Sequence, residues 1–376
     1  MDFELSEIQK QIQQTFRDFA DRKVKPVAAK LDEEKKFPHE LFKEAGDLGF
    51  FGMRYPEDAG GTGLDIVSYS LAVIEIARGS LSLAAVCTMQ SLMGTYFLYR
   101  FGNKEIRENY FDDALKGNKI GGICMTEPNA GSDLMAIKTL AKVTEEGFVL
   151  NGQKTWITSA PVADFFTVLA RTDNHEHLSI FFVPSNLKGV LIGKSIEKMG
   201  VRASVTSEVA FVDVVLPKKY LLGEIGGGTK CLKEILAEIR IMTAALAIGV
   251  ATAAYEDALQ YANERSQFGK PIGKFQAMQM KFADMVVQLE TAKHYVMYAA
   301  TLSDKNLPRQ KEAMIAKLYA SECAVNICDQ ASRVLASYGY AVDYNIERYL
   351  RDSRFTLIGG GTSEILKVNI AKEIGL

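Results

Sequence analysis

The stretches Met125 to Asp133 and Lys154 to Thr158 hold residues whose types and spacing could do chemistry. The first places a hydroxyl at Thr126 within a turn rich in Pro, Asn and Gly, and the second contains Trp156, the only tryptophan of the chain. This composition alone is typical of a loop, and a tryptophan in a β-rich region usually belongs to the core. The same residues would also suit a flat isoalloxazine ring. Trp156 would lie along the ring, while Thr126 and Thr158 would bond its polar edge, where hydrogen bonds tune a flavin.

Six segments, taken in chain order, resemble the acyl-CoA dehydrogenase family. Each one could occur by chance, but six in the family's order argue against chance. The resemblance covers essentially the whole chain. The segments are Tyr55-Pro-Glu-Asp-Ala-Gly-Gly-Thr-Gly63, Thr126-Glu-Pro-Asn-Ala-Gly-Ser-Asp133, Gly152-Gln-Lys-Thr-Trp-Ile-Thr158, Lys198-Met-Gly-Val-Arg-Ala-Ser-Val-Thr206, Asn263-Glu-Arg-Ser-Gln-Phe-Gly-Lys-Pro-Ile272, and Tyr338-Gly-Tyr340 with Arg348 to Asp352.

The resemblance implies FAD, bound between a β domain and a C-terminal helical bundle. It also implies a homotetramer in which Arg265, Gln267 and Phe268 reach across a subunit interface to a neighbour's FAD. The fixed fork of an arginine suits a pyrophosphate. Arg240 is implied to contact the substrate. The other implied contacts to FAD come from Met125, Thr126, Ser132, Trp156, Thr158 and Thr362.

The family's reaction is the α,β-dehydrogenation of an acyl thioester, and its usual catalytic base is missing here. In the family a glutamate removes the α-proton, which is weakly acidic, so this base must be well poised. Gly360 stands at one position that the family uses for the glutamate, and Ile239 stands at the other. Glu238 is the remaining catalytic candidate. It is displaced from Ile239 by about 100° around a helix, so a surface or interface glutamate is the stronger interpretation.

The missing base leaves several functions open. We expect an FAD-dependent dehydrogenase for an unusual acyl thioester, such as a hydroxyacyl or aminoacyl group on an acyl carrier protein in polyketide extender-unit supply. An O–H proton is far more acidic than a C–H proton, so a strong base would matter less there. The alternatives are an acyl-CoA dehydrogenase with a relocated base, an enoyl-thioester reductase or eliminase of the same family, and a catalytically silent flavoprotein subunit. Electron-transfer flavoprotein is the electron acceptor that the resemblance implies.

Helical segments flank a β-rich middle, which predicts an α+β, mainly α fold with three domains. Residues 1–117 are predicted to form an N-terminal helical domain, 118–228 a β-barrel or sandwich domain, and 229–376 a C-terminal four-helix bundle. Short β-branched and aromatic runs between turn signals indicate the strands. The long helices of the last domain are predicted over 235–265, 275–303, 310–338 and 362–374.

Composition and charge point to no special partner. The net charge of −2 over 376 residues gives no reason to expect nucleic acid or an anionic membrane. Five dispersed cysteines suit buried free thiols in a reducing cytoplasm. His175 and His177 lie in a polar stretch that we interpret as a solvated loop rather than a metal site. The apolar run 241–255 is too short to cross a bilayer. The acidic N-terminus is not that of a signal peptide, so we expect a cytoplasmic protein.

Overall fold

The computed structural model describes residues 4–173 and 177–376, so His175 of the predicted loop lies outside the described residues. A β domain stands between two helical parts of the chain, which confirms the predicted α+β, mainly α fold. The helices are α1 (Glu7–Phe19), α2 (Lys25–Glu34), α3 (His39–Asp47), α4 (Ile66–Gly79), α5 (Leu81–Met89), α6 (Tyr96–Phe101), α7 (Lys104–Ile106), α8 (Asp112–Leu115), α9 (Gly228–Glu264), α10 (Gln276–Asp304), α11 (Gln310–Leu335), α12 (Asn345–Thr356) and α13 (Ser363–Glu373). The strands are β1 (Gly121–Cys124), β2 (Leu140–Val143), β3 (Gly147–Thr158), β4 (Phe165–Thr172), β5 (Leu178–Pro184), β6 (Val190–Ser195), β7 (Thr206–Pro217), β8 (Leu221–Leu222), β9 (Ser266–Gln267) and β10 (Lys270–Pro271).

The N-terminal helices begin with a capping box. Ser6 Oγ accepts from the backbone N–H of Gln9 at 3.2 Å, while Gln9 Oε1 accepts from the backbone N–H of Ser6 at 3.0 Å. Two otherwise unpaired donors at the helix start are thereby satisfied. Farther along, α4 is buried from Val67 to Gly79 and packs on α9. One core therefore joins the N-terminal helices to the C-terminal bundle.

The β domain is a mixed sheet with its own core. Among the described residues, seven strands follow the order β6-β7-β3-β2-β4-β5-β8, and β1 pairs in parallel with β4. The long strands β3 and β7 run antiparallel, with register shifts near Gly152 and between Lys154 and Ile157. Such bulges bend a strand and re-aim a side chain.

The C-terminal helices differ from the prediction at three places. α9 begins at Gly228, earlier than the predicted residue 235, and α11 ends at Leu335, before the predicted residue 338. Ala336 stops α11 because its φ of 52° is incompatible with a continuing right-handed helix. The four predicted helices also omitted α12. That helix is short and polar, and it buries a face that includes Ile346 and Tyr349.

Two helical stretches, Leu81–Phe101 and α9, are long and apolar enough to cross a membrane by length and composition. Of their most apolar windows, 89% and 83% are buried inside the chain, so both serve as core helices of this fold. The five cysteines are all buried and free, as predicted.

Candidate active site

A bulge in β3 turns Trp156 out of the sheet. Lys154 and Ile157 on either side are buried, whereas Trp156 is 57% exposed and has a φ of 59°. A bulky residue in the left-handed region is uncommon and costs about 1–3 kcal/mol, so such strain is often associated with a functional site. The strand thus presents a flat aromatic surface that the fold does not cover.

The exposed ring of Trp156 lines an open cavity of about 700 Å³. The turn from Thr126 to Gly131 lines the same cavity, so the two stretches singled out in the sequence meet at one place. Thr158, half-buried, ends the same strand, and Ser132, exposed, follows the turn. A flat ring with a polar edge fits a cavity built from an exposed indole and a hydroxyl-bearing turn.

A buried ion pair shapes that turn. Lys154 is fully buried, and its Nζ donates to Glu127 Oε1 at 2.9 Å and to the Met125 carbonyl at 3.0 Å. Glu127 also accepts from the backbone N–H groups of Lys138 and Thr139, at 2.7 and 2.9 Å. Burial by itself would raise the pKa of Glu127, but these hydrogen bonds hold it below its usual value. Both residues lie inside the sequence motifs quoted above, but their pairing was not predicted.

Neither usual base position carries a carboxylate. Gly360 lies in a glycine loop with a φ of 71°, and Ile239 is a buried apolar residue on α9. The loop is held in place by Lys317, whose fully buried Nζ donates to the carbonyls of Leu357 at 3.1 Å and Gly361 at 2.6 Å. Burial lowers the pKa of Lys317 to about 8.

Thr362 follows the glycine loop and caps α13. Its Oγ1 accepts from the backbone N–H of Ile365 at 3.3 Å. The predicted flavin contact at Thr362 would therefore use a hydroxyl that already has a structural role.

Glu238 is a partly buried ion-pair partner. Its side chain is 14% exposed and pairs with Arg54, whose side chain is 7% exposed. Arg309 Nη2 lies 3.7 Å from the other carboxylate oxygen. The guanidinium of Arg54 also lies over the ring of Tyr96, at 5.7 Å from the ring centre. A carboxylate tied to two arginines is poorly suited to accept a proton from carbon.

Arg240 follows Ile239 on α9 and is a buried cation. Its Nη1 donates to Gln310 Oε1 at 3.4 Å, and no described residue accepts from its Nε. Burial lowers its pKa to about 10.

The three residues predicted to serve a neighbour's cofactor lie outside the cavity lining. Arg265 follows α9, with its guanidinium 5.8 Å from the ring centre of Tyr338. Gln267 and Phe268 belong to the β9–β10 hairpin, and Phe268 is 93% exposed with a φ of 50°. The hairpin therefore projects a large apolar ring away from its own chain.

Comparison with known proteins identifies the family of the chain. Sequence models of the acyl-CoA dehydrogenase N-terminal, middle and C-terminal domains match residues 6–118, 122–214 and 226–375. The chain is 57% identical to benzylmalonyl-CoA dehydrogenase of Aromatoleum aromaticum over the whole of both chains. The structure matches butyryl-CoA dehydrogenase from Megasphaera elsdenii with a TM-score of 0.96 and 35% identity, covering all of both chains. It matches the prolyl acyl carrier protein oxidase AnaB with a TM-score of 0.94 and 30% identity, covering 99% of this chain and 100% of that one.

The fold and its three matched domains define a flavoprotein oxidoreductase. The chain belongs to the acyl-CoA dehydrogenase family. It is accordingly an FAD-dependent enzyme that acts on acyl thioesters.

Proposed function

We propose that this enzyme oxidises an acyl-CoA with a carboxylate on its α-carbon, and that loss of this carboxylate as CO₂ replaces proton abstraction. The observation that carries the proposal is the absence of a carboxylate at both base positions, Ile239 and Gly360. The 57% identity to an enzyme named for benzylmalonyl-CoA supports it, because a malonyl thioester has such a carboxylate.

The electrons of the proposed decarboxylating oxidation balance without a base. The bond between the α-carbon and the carboxylate breaks, its electron pair remains as the thioester enolate, and CO₂ leaves. A hydride then departs from the β-carbon and the enolate pair forms the double bond. FAD, when bound, supplies the hydride acceptor. No proton has to be removed from carbon. The rate enhancement of roughly 100- to 10,000-fold that a general base typically provides is therefore not needed.

The residues around the base position favour this route. Ile239 is 8% exposed and offers no polar atom from its side chain. A carboxylate held against such a surface loses hydration, which raises the free energy of the anion relative to neutral CO₂. The buried Arg240, next to Ile239 on α9, would attract a substrate with an added negative charge.

Isotope labelling tests the proposal. Under anaerobic single-turnover conditions, benzylmalonyl-CoA labelled in its free carboxylate should release one labelled CO₂ per 3-phenylpropenoyl-CoA formed. Single turnover makes the test independent of the electron acceptor, for which the family implies electron-transfer flavoprotein. The matched control is 3-phenylpropionyl-CoA, which has hydrogen in place of the carboxylate. It should react at least about 100-fold more slowly, since no base is present. Product that retains the label, or equal rates for the two thioesters, would contradict the proposal.

For the cofactor, we propose that Met125, Thr126, Ser132, Trp156 and Thr158 hold the flavin and its ribityl chain, with Thr362 nearby. The supporting observations are the exposed Trp156 and its position on the cavity that the turn also lines. An indole face is a suitable stacking surface for an aromatic ring. Lys154 shapes the turn, so FAD retention after its substitution tests this proposed cofactor site.

We also propose a homotetramer in which Arg265, Gln267 and Phe268 approach the FAD of a neighbour. The 93% exposure of Phe268 leaves its ring available for contact with a partner chain. Light scattering on the FAD-loaded protein should give about four times the chain mass of 41.5 kDa. A monomer that retains FAD tightly would refute this assembly.

A carrier-protein substrate is the second candidate. The match to the prolyl acyl carrier protein oxidase AnaB favours it, but the identity of 30% is well below the 57% to the enzyme named for a CoA thioester. Reduction by prolyl or hydroxyacyl carrier protein, together with inertness toward benzylmalonyl-CoA, would select this candidate.

A further inference from the structure

We propose that Thr243 determines the reaction by excluding a catalytic carboxylate from position 360, so that only a substrate that brings its own carboxylate can react. The inference rests on the proposed function and assigns its specificity to a pair of facing residues, Thr243 on α9 and Gly360 in the glycine loop. Position 360 would then not accept a glutamate by a single substitution.

The space beside Gly360 is filled by Thr243. A Cβ atom built on Gly360 would lie 2.8 Å from Thr243 Oγ1 and 3.4 Å from Thr243 Cβ. The first distance is shorter than side chains normally tolerate, so any residue larger than glycine requires a shift. The φ of 71° at Gly360 adds strain for any residue with a Cβ.

Thr243 is held in the position that causes this contact. It is 6% exposed, and its Oγ1 donates to the carbonyl of Ile239 at 2.8 Å, one turn earlier on α9. A β-branched side chain on a helix has few accessible rotamers. Rotating the hydroxyl away would break the hydrogen bond and leave a buried donor without its acceptor.

The glycine loop is fixed from its other side. Lys317 Nζ binds the carbonyls of Leu357 and Gly361, which enclose Gly360 in the chain. Ser321 Oγ donates to the carbonyl of Thr356 at 2.8 Å. Because α11 anchors the loop and α9 fixes Thr243, the close approach at Gly360 is not easily relieved.

The identities of Thr243 and Gly360 therefore select between proton abstraction and loss of CO₂. A glutamate at position 360 would provide the base for a substrate with an α-hydrogen, and its negative charge would repel a substrate with an α-carboxylate. Glycine at 360 and threonine at 243 keep the enzyme free of that carboxylate. Removing the hydroxyl of Thr243 should make room for it.

The activity test uses Gly360→Glu, Thr243→Ala and the double variant, each loaded with FAD. With 3-phenylpropionyl-CoA, the rate of 3-phenylpropenoyl-CoA formation should rise less than about tenfold in Gly360→Glu. It should rise at least about 100-fold in the double variant, which is the lower range of general-base catalysis. The double variant should also lose CO₂ release from benzylmalonyl-CoA. Equal rates in Gly360→Glu and the double variant, or no gain in the double variant, would overturn the role of Thr243.

A stability cycle tests the contact without relying on activity. Gly360→Ala should lower the unfolding temperature of the FAD-loaded protein more in the wild-type background than in Thr243→Ala, because the alanine then meets no hydroxyl. Equal decreases in the two backgrounds would overturn the proposal. If wild-type protein releases no CO₂, the proposed function fails. The stability cycle still decides whether Thr243 excludes a larger side chain from position 360.

Discussion

Replacing Lys154 with methionine is expected to cause the loss of most bound FAD. Methionine keeps much of the apolar volume but removes the charge, so the carboxylate of Glu127 remains buried without its partner. Breaking a buried ion pair on one side costs about 3–5 kcal/mol. Lys154 also bonds the Met125 carbonyl, so the turn that lines the cavity with Trp156 should relax. If the cost falls on the cofactor site, FAD affinity should decrease by about 100-fold or more.

The measurement is the ratio of FAD to protein after gel filtration, followed by titration of the apoprotein with FAD. Lys142→Met is the matched control, since Lys142 is an exposed lysine on the neighbouring strand β2. Combining Lys154→Met with Glu127→Gln should recover part of the affinity, because no buried charge is then left alone. FAD retention in Lys154→Met equal to that in Lys142→Met would refute the assigned role.

The sequence was sufficient for the fold class and for the two stretches that form the cavity. Trp156 and Thr126 could be paired because the family's motifs place both at a flavin. The bulge that turns Trp156 outward could not be predicted, because it arises from the register between β3 and β7, which no local pattern reveals. The helix α12 was missed for a related reason, since its polar sequence becomes helical through packing on α9 and α11.

In the catalytic region too, some features could be predicted from the sequence and others could not. Helical periodicity predicts that Glu238 points away from the base position, and in the structure its carboxylate pairs with Arg54. Its two arginine partners come from distant segments of the chain, so no local pattern could predict them. The contact between Thr243 and the loop at Gly360 also joins segments far apart in sequence. The sequence thus showed that the usual base is absent. Thr243, which occupies the space beside Gly360, could be identified only from the tertiary structure.

The Glu238→Gln substitution is expected to show whether Glu238 acts as a base or as a counter-ion to Arg54. If Glu238 removed the α-proton, the rate at saturating substrate would fall by about 100- to 10,000-fold. We expect it to remain within about tenfold of wild type, because loss of CO₂ needs no base. Stability should respond instead. Arg54 is 7% exposed and would lose its carboxylate partner, which costs about 3–5 kcal/mol for a buried pair.

Single-turnover product formation and urea unfolding of the FAD-loaded protein measure these two effects. Glu234→Gln provides the control from one turn earlier on α9. Glu234 is 34% exposed and lies 3.8 Å from Arg100, so its loss should cost less than about 1 kcal/mol. The double variant Glu238→Leu with Arg54→Met should regain much of the stability, because it leaves no buried charge without a partner. A rate loss of 100-fold or more in Glu238→Gln, with normal FAD content and stability, would instead make Glu238 the base and remove the reason for expecting CO₂ release.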